Sequence, residues 1–222
     1  MKNLQSFLVV LAVVLGAGNG YATIPDIWGV WSWPHTEPVH IMVTPGPGGD
    51  ALQSASFFGG ATVDATILVQ LWASGGGLEE PLPAQSIANF PYEDLWLEAP
   101  GLTPCIGGSV ADSNTDADGW FSFSGSPMMG GANDPNSATP GLQVMVMGSP
   151  LYEENRGSII RPHILVNSPD INGDGAVNMP DIPPFADDFY GPYAFRSDFT
   201  YDGVINLSDV VRFVNSLGAT CP

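Results

Sequence analysis

A pattern of twelve residues occurs twice toward the C-terminal end of this 222-residue chain, as DINGDGAVNMPD over residues 170–181 and DFTYDGVINLSD over residues 198–209. The copies start 28 residues apart and agree at positions 1, 5, 6, 9 and 12. A calcium ion takes six to eight hard oxygens at roughly 2.3–2.6 Å, and a loop supplies them from alternate positions when it turns sharply at position 6. In the first copy Asp170, Asn172 and Asp174 fill positions 1, 3 and 5, Gly175 makes the turn, Ala176 offers its carbonyl, and Asn178 and Asp181 fill positions 9 and 12. In the second copy the same places belong to Asp198, Thr200, Asp202, Gly203, the Val204 carbonyl, Asn206 and Asp209. Each loop is thus fitted to one calcium ion, two in all. The alternative reading of a single string of this kind is an acidic, solvated turn. Repetition in tandem, with an apolar pattern after each copy, weighs against that alternative.

Apolar residues at helical spacing follow both loops: Ile182, Phe185 and Phe189 after the first, then Val210, Phe213, Val214 and Leu217 after the second. No helical pattern precedes either loop. Position 8 is aliphatic in both, Val177 and Ile205, and setting these against each other as a short two-stranded bridge predicts one folded unit. Its core is expected from Val177, Ile205, Phe185, Phe189, Phe213 and Leu217. Pro183 and Pro184 lack backbone donors, so the first helix is expected to restart near Pro183.

A loop followed by a helix, duplicated, with Asn at position 9 and Asp at position 12 where an ordinary EF-hand has Glu, resembles the type I dockerin family. The resemblance spans residues 167–222. It implies a small α domain of duplicated EF-hand loop-helix units that folds on calcium and docks onto a cohesin-type protein, as in polysaccharide-degrading assemblies. The chain departs from the family at positions 10 and 11, which are Met179-Pro180 and Leu207-Ser208 where cohesin-binding members often place a small hydroxyl pair. Contact with such a partner would fall to helix-surface residues such as Ser208, Arg212 and Asn215.

The N-terminal residues read as an export signal over residues 1–22: Lys2, an apolar run over residues 7–17, and Gly20-Tyr21-Ala22 as the small-x-small cleavage site. That run is too short for a membrane span, so the product is expected to be secreted or at the cell surface, without membrane insertion after cleavage. Beyond Lys2 only four arginines face 23 acids, a balance that opposes nucleic acid and anionic membranes as partners. Six of those acids belong to the two loops. Cys105 and Cys221 are the only cysteines, and in an oxidising compartment they are expected to pair as a disulfide.

Residues 23–166 are rich in Gly, Pro and Ser, with short runs of β-formers and no long helical period, which predicts an all-β domain. Candidate strands fall at residues 40–44, 62–72, 94–98, 120–124, 142–147 and 159–166, a count suited to a β-sandwich. Residues 113–124, SNTDADGWFSFS, resemble the TDxxGxxxF hairpin of bacterial immunoglobulin-like modules, implying an immunoglobulin-like sandwich. Asp112, Asn114, Asp116 and Asp118 repeat oxygens at alternate positions, but the glycine falls at position 8 and no carboxylate closes the set, which favours a hairpin turn over a third metal site. Trp28, Trp31 and Trp33 form either a sugar-stacking face or core packing.

No catalytic motif is legible, and the three histidines His35, His40 and His163 lack metal-ligand spacing. The fold class expected is mainly β, an immunoglobulin-like sandwich followed by a dockerin-like α domain. The function expected is that of a secreted, non-enzymatic calcium-binding modular protein with a structural or interaction role at the cell exterior. An accessory or carbohydrate-binding component docking to a cohesin-type protein or a cell-surface glycan is the alternative, and a glycan hydrolase a third.

Overall fold

The computed structural model describes residues 26–222 except 75, 78–79, 82–84, 137 and 154–157. The expected export signal lies outside the described residues. The chain is mainly β, with strands β1 Asp26–Ser32, β2 Val39–Met42, β3 Ala55–Phe57, β4 Thr62–Val63, β5 Ile67–Ser74, β6 Gly76–Gly77, β7 Glu80–Pro81, β8 Gln85–Ser86, β9 Leu95–Glu98, β10 Leu102–Pro104, β11 Trp120–Phe123, β12 Met129–Gly131, β13 Gln143–Val146, β14 Ser149–Pro150 and β15 Ile164–Asn167. Two helices follow, α1 Ile182–Tyr190 and α2 Leu207–Ser216.

The long apolar run around residue 67 forms β5, which pairs antiparallel with β1, β11 and β8. The expected strand over residues 62–72 divides at Asp64, whose Oδ1 accepts the Thr66 N–H at 2.9 Å and the Thr66 hydroxyl at 2.6 Å. This turn sends β4 to pair with β3 while β5 joins a different sheet. A three-stranded sheet runs β14-β13-β9, β10 pairs with β12, and a four-stranded sheet runs β15-β2-β3-β4. Within the last, β15 and β2 are parallel, with Leu165 opposite His40 and Asn167 opposite Met42.

The inward faces of these strands share one apolar core, including Val39, Ile41, Ile67, Val69, Leu71, Leu95, Leu97, Phe121, Val144, Ile164 and Val166. The hairpin at residues 112–124 is built by its own acids. Asp116 Oδ1 accepts the N–H groups of Asp118 and Trp120 at 2.9 Å, and Asp112 accepts from the Ser122 hydroxyl at 2.7 Å and the Ser124 N–H at 3.2 Å. These acids are thereby tied into the hairpin, with Phe121 facing the core and Trp120 lying outside it.

Strands β2 and β15 are buried at every residue. Side chains alternate across a strand, so Val39, Ile41, Ile164 and Val166 enter the main core while His40, Met42, Leu165 and Asn167 face the other way. That second face is covered by the C-terminal segment. Met42 packs in a second cluster with Phe185, Phe199 and Phe213, flanked by Ile171, Ile182, Phe189, Ile205 and Val210. The rings of Phe185 and Phe213 stack with centroids 4.9 Å apart, and Phe199 lies 5.8 Å from Phe185 on its own near-parallel plane. Phe199, fully buried at position 2 of the second loop, and Met42 from β2 join this core, whereas the expected member Leu217 is 44% exposed.

Pro183 and Pro184 fall within the first turn of α1, directly after a 3-10 turn at Met179–Asp181. The missing proline donors there belong to positions with no partner in any helix, so the prolines start α1 rather than break it.

Candidate metal centres

The two loops share one scheme of backbone N–H bonds to the carboxylates of positions 1, 5 and 12. At position 1, Asp170 Oδ1 and Oδ2 accept the N–H groups of Asp174 at 3.1 Å and Gly175 at 2.9 Å. Asp198 does the same with Asp202 at 3.2 Å and Gly203 at 2.9 Å. At position 12, Asp181 accepts from the N–H groups of Asn172 and Asn178 at 3.1 and 2.9 Å, and Asp209 from those of Thr200 and Asn206 at 3.0 and 2.8 Å. At position 5, Asp174 and Asp202 accept the N–H two residues on, from Ala176 at 3.1 Å and Val204 at 2.9 Å. Gly175 and Gly203 carry φ of +88° and +86°, a conformation that disfavours any side chain, which is why position 6 is glycine in both. Position 4 is also left-handed, at Gly173 and Tyr201.

The second loop leads into α2 through a capping box of Asn206 with Asp209, and in the first loop Asp181 accepts the Asn178 N–H across the 3-10 turn that precedes α1. In the second loop one carboxylate, Asp209, therefore closes the loop and caps the helix, and in the first Asp181 closes the loop and stands at the start of α1. Helix position thus follows loop geometry.

The electrostatics of the loops are unusual. Asp170, Asp181, Asp198 and Asp209 are all fully buried. The salt bridges of the described residues, Arg196–Asp188 and Arg212–Asp50, leave all four without a cationic partner. Burial raises the Asp170 carboxyl above the ordinary carboxylate range, with the Asp181 charge adding to it against the Gly175 amide. Burial likewise raises Asp209, with the Asp198 charge adding to it against the Asn206 and Thr200 amides. A buried carboxylate without a counter-charge is costly, and here two stand at opposite ends of each twelve-residue loop. In the first loop Asn178 Oδ1 is also buried without a hydrogen-bond partner.

These features fit an oxygen-loving divalent cation. The donor atoms are carboxylate, amide and hydroxyl oxygens with the carbonyls of Ala176 and Val204, the set a calcium ion takes. Among the described residues, no three His, Cys, Asp or Glu side chains gather as a metal-binding group. The carboxylates of positions 1 and 12 are directed onto loop amides, and Asn and Thr side chains make up much of each set. Thr200 hydrogen-bonds Asp209 Oδ1 through its hydroxyl at 3.1 Å. The Tyr193 hydroxyl donates to Asp198 Oδ2 at 2.9 Å, an attachment to the second loop that its sequence pattern did not announce.

The short bridge involving position 8 differs from the expected Val177–Ile205 pairing. Val177 donates to Ala219 O at 2.8 Å and accepts from the Gly218 N–H at 2.9 Å, and Ala176 bridges Thr220. The last residues take this place because Cys221 is anchored: it forms the expected disulfide with Cys105, across 116 residues, and its N–H donates to Gly175 O at 2.9 Å.

Both loops are seated against the strands. The Gly131 N–H donates to Asp170 O at 2.7 Å, and a Cβ at Gly130 would run into the Asp170 carboxylate. Over the second loop, His40 stacks on Tyr201 with centroids 5.0 Å apart, and Phe58 meets Tyr201 edge-on at 5.3 Å. Burial lowers the His40 imidazole from 6.5 to about 4, partly offset by its bond to Asn167.

Of the expected partner-contact residues, Ser208 and Asn215 are exposed. Arg212 is committed inward, donating to Phe199 O at 2.6 Å and pairing with Asp50. The outer side of α2 instead presents Leu207, Val211 and Val214, exposed by 73%, 58% and 53%. Trp31 and Trp33 pack against the main core, while Trp28 faces away and stacks on Trp72 with centroids 5.5 Å apart. No helix among the described residues is long and apolar enough to cross a membrane.

Comparison with protein-family models, with curated proteins and with solved structures finds no match for this chain.

Proposed function

We propose that this chain is a secreted, non-enzymatic calcium-binding modular protein with a structural or interaction role at the cell exterior. Its strand-rich part is an immunoglobulin-like sandwich, and residues 167–222 are a dockerin-like pair of calcium loops. One observation carries the proposal: four fully buried aspartates, paired at positions 1 and 12 of two equivalent loops, with no arginine or lysine among the described residues to balance them. Asp170, Asn172, Asp174, Ala176, Asn178 and Asp181 would hold the first ion, and Asp198, Thr200, Asp202, Val204, Asn206 and Asp209 the second. A bound ion supplies the positive charge these carboxylates lack. Its stabilisation would pass to α2 because Asp209 also caps that helix, and to α1 because Asp181 ends the turn from which α1 starts.

Calorimetric titration of the full chain tests this. Two sites in the ~10⁻⁴–10⁻³ M class of extracellular modules are expected. Absence of heat together with an unchanged melting temperature in calcium would overturn it.

A second function, docking onto a cohesin-type protein, is supported by the apolar stripe of Leu207, Val211 and Val214 on the open side of α2. Retention on immobilised cohesin domains in calcium, lost in chelator and lost in Val211→Asp, is the outcome it requires. No retention leaves the structural role alone.

A further inference from the structure

We infer that the strand-rich part serves as the entering scaffold of both calcium loops, and that Asn167 is the positioning residue of the second. This rests on the calcium function proposed above. A first ligand without a rigid element before it has nothing local to fix its main chain, and such supporting contacts govern metal affinity. The second loop is preceded only by a 3-10 turn at Phe195–Ser197.

Asn167, the last residue of β15, fills the gap. It is fully buried, and its Nδ2 donates to Phe195 O at 2.9 Å and to Asp198 O at 2.7 Å, tying down both the start of that turn and the residue after it. With both amide protons given to carbonyls, Oδ1 is the acceptor toward His40 Nε2 at 2.9 Å, so His40 carries its proton on Nε2. In the first loop the same atom, the position-1 carbonyl of Asp170, is held by the Gly131 N–H at 2.7 Å. Both loops therefore have their first residue fixed by a donor from the strands, in place of a helix. The β3–β4 turn adds to the second loop: the Gly59 N–H donates to Tyr201 O at 3.1 Å, and the Phe58 ring lies against Gly203. The ion affinity of the second loop is thus set in part by a residue outside its twelve.

The amides of Gly175 and Gly203 each donate to the position-1 carboxylate of their own loop at 2.9 Å, so each reports one loop. Calcium titration of the ¹⁵N-labelled full chain, followed by NMR at these two glycines, separates the sites. In Asn167→Ser the Gly203 response should move to about tenfold higher calcium or more, while the Gly175 response stays within about threefold. An unchanged Gly203 midpoint, or equal weakening at both glycines, would overturn the assignment. If neither glycine responds in the parent chain, the calcium function itself fails, a separate result. Should Asn167→Ser not give a folded spectrum, Phe58→Ala at an exposed side chain carries the test: weakening of about threefold at Gly203 alone supports the scaffold, and no change overturns it.

Discussion

Asp174 and Asp202 allow the ion's contribution to be separated from that of the apo loop. Both are exposed, unlike the buried carboxylates of positions 1 and 12, and each accepts one backbone N–H and the amide of a neighbouring asparagine. Truncation to alanine without calcium therefore removes only solvent-exposed hydrogen bonds, about 0.5–1 kcal/mol. With calcium the loss is far larger. At about 10 mM calcium and a dissociation constant of ~10⁻⁴–10⁻³ M, each occupied loop gains about 1.4–2.7 kcal/mol by mass action. For a chain of this size that is about 3–10 °C of melting temperature per loop. Scanning calorimetry in EDTA and in calcium should show Asp174→Ala and Asp202→Ala within about 4 °C of the parent in EDTA. Each should lose about half of the calcium-induced rise, and the double variant nearly all of it. A double variant that keeps the full rise would refute position 5 as a ligand, and a parent with no rise would refute the sites altogether.

Gly130→Ala places a methyl group against the Asp170 carboxylate and near Gly173 Cα, so it should cost about 1–3 kcal/mol and leave calorimetric titration with one calcium ion in place of two. His40 is held neutral in the fold, with a value of about 4 against 6.5 when unfolded, so the unfolded chain takes up the proton first. Stability from this source is complete above pH 6.5 and falls as pH drops toward 4, by up to about 1.4 kcal/mol per unit. The raised carboxyls of Asp170 and Asp209 act in the opposite sense, and subtracting the denaturation profile of His40→Gln in EDTA isolates the histidine. Reducing Cys105–Cys221 removes a cross-link over 116 residues, on the order of 4–5 kcal/mol in the chain-entropy description. Hydrogen exchange should then accelerate at Val177 and Gly218 while the Asp198–Asp209 loop keeps its protection.

The loops were legible because their constraint is local: a glycine at φ near +90° and oxygens at alternate positions leave a pattern within twelve residues. The disulfide followed from having only two cysteines. The strands were legible where apolar residues alternate, as in β5, and blurred where one side chain intervened, as Asp64 does. What could not be read was everything set by residues far apart. Asn167 and His40 lie on neighbouring parallel strands separated by 127 residues, and nothing local marks either as polar groups in a second buried face. Met42 looks like any strand methionine, and Phe199 like loop filler, until the C-terminal segment folds back over β2 and β15. The bridge to residues 218–220 was equally hidden, since it depends on where Cys105 fixes Cys221.

Covering both faces of the β15–β2 pair extends what an ion at the loops would stabilise. His40, Met42, Leu165 and Asn167 are all nearly inaccessible, and around His40, Met42 and Asn167 the loops and helices of residues 168–222 supply covering atoms. An ion that fixes Asp198 also fixes Phe199 against Phe185 and Phe213, and through them the seal on Met42. Conversely, the strands supply the donors that hold Asp170 and Asp198 in place. Each half thus completes the other, so the free energy of an ion bound at the loops would be shared with the sheet beneath them.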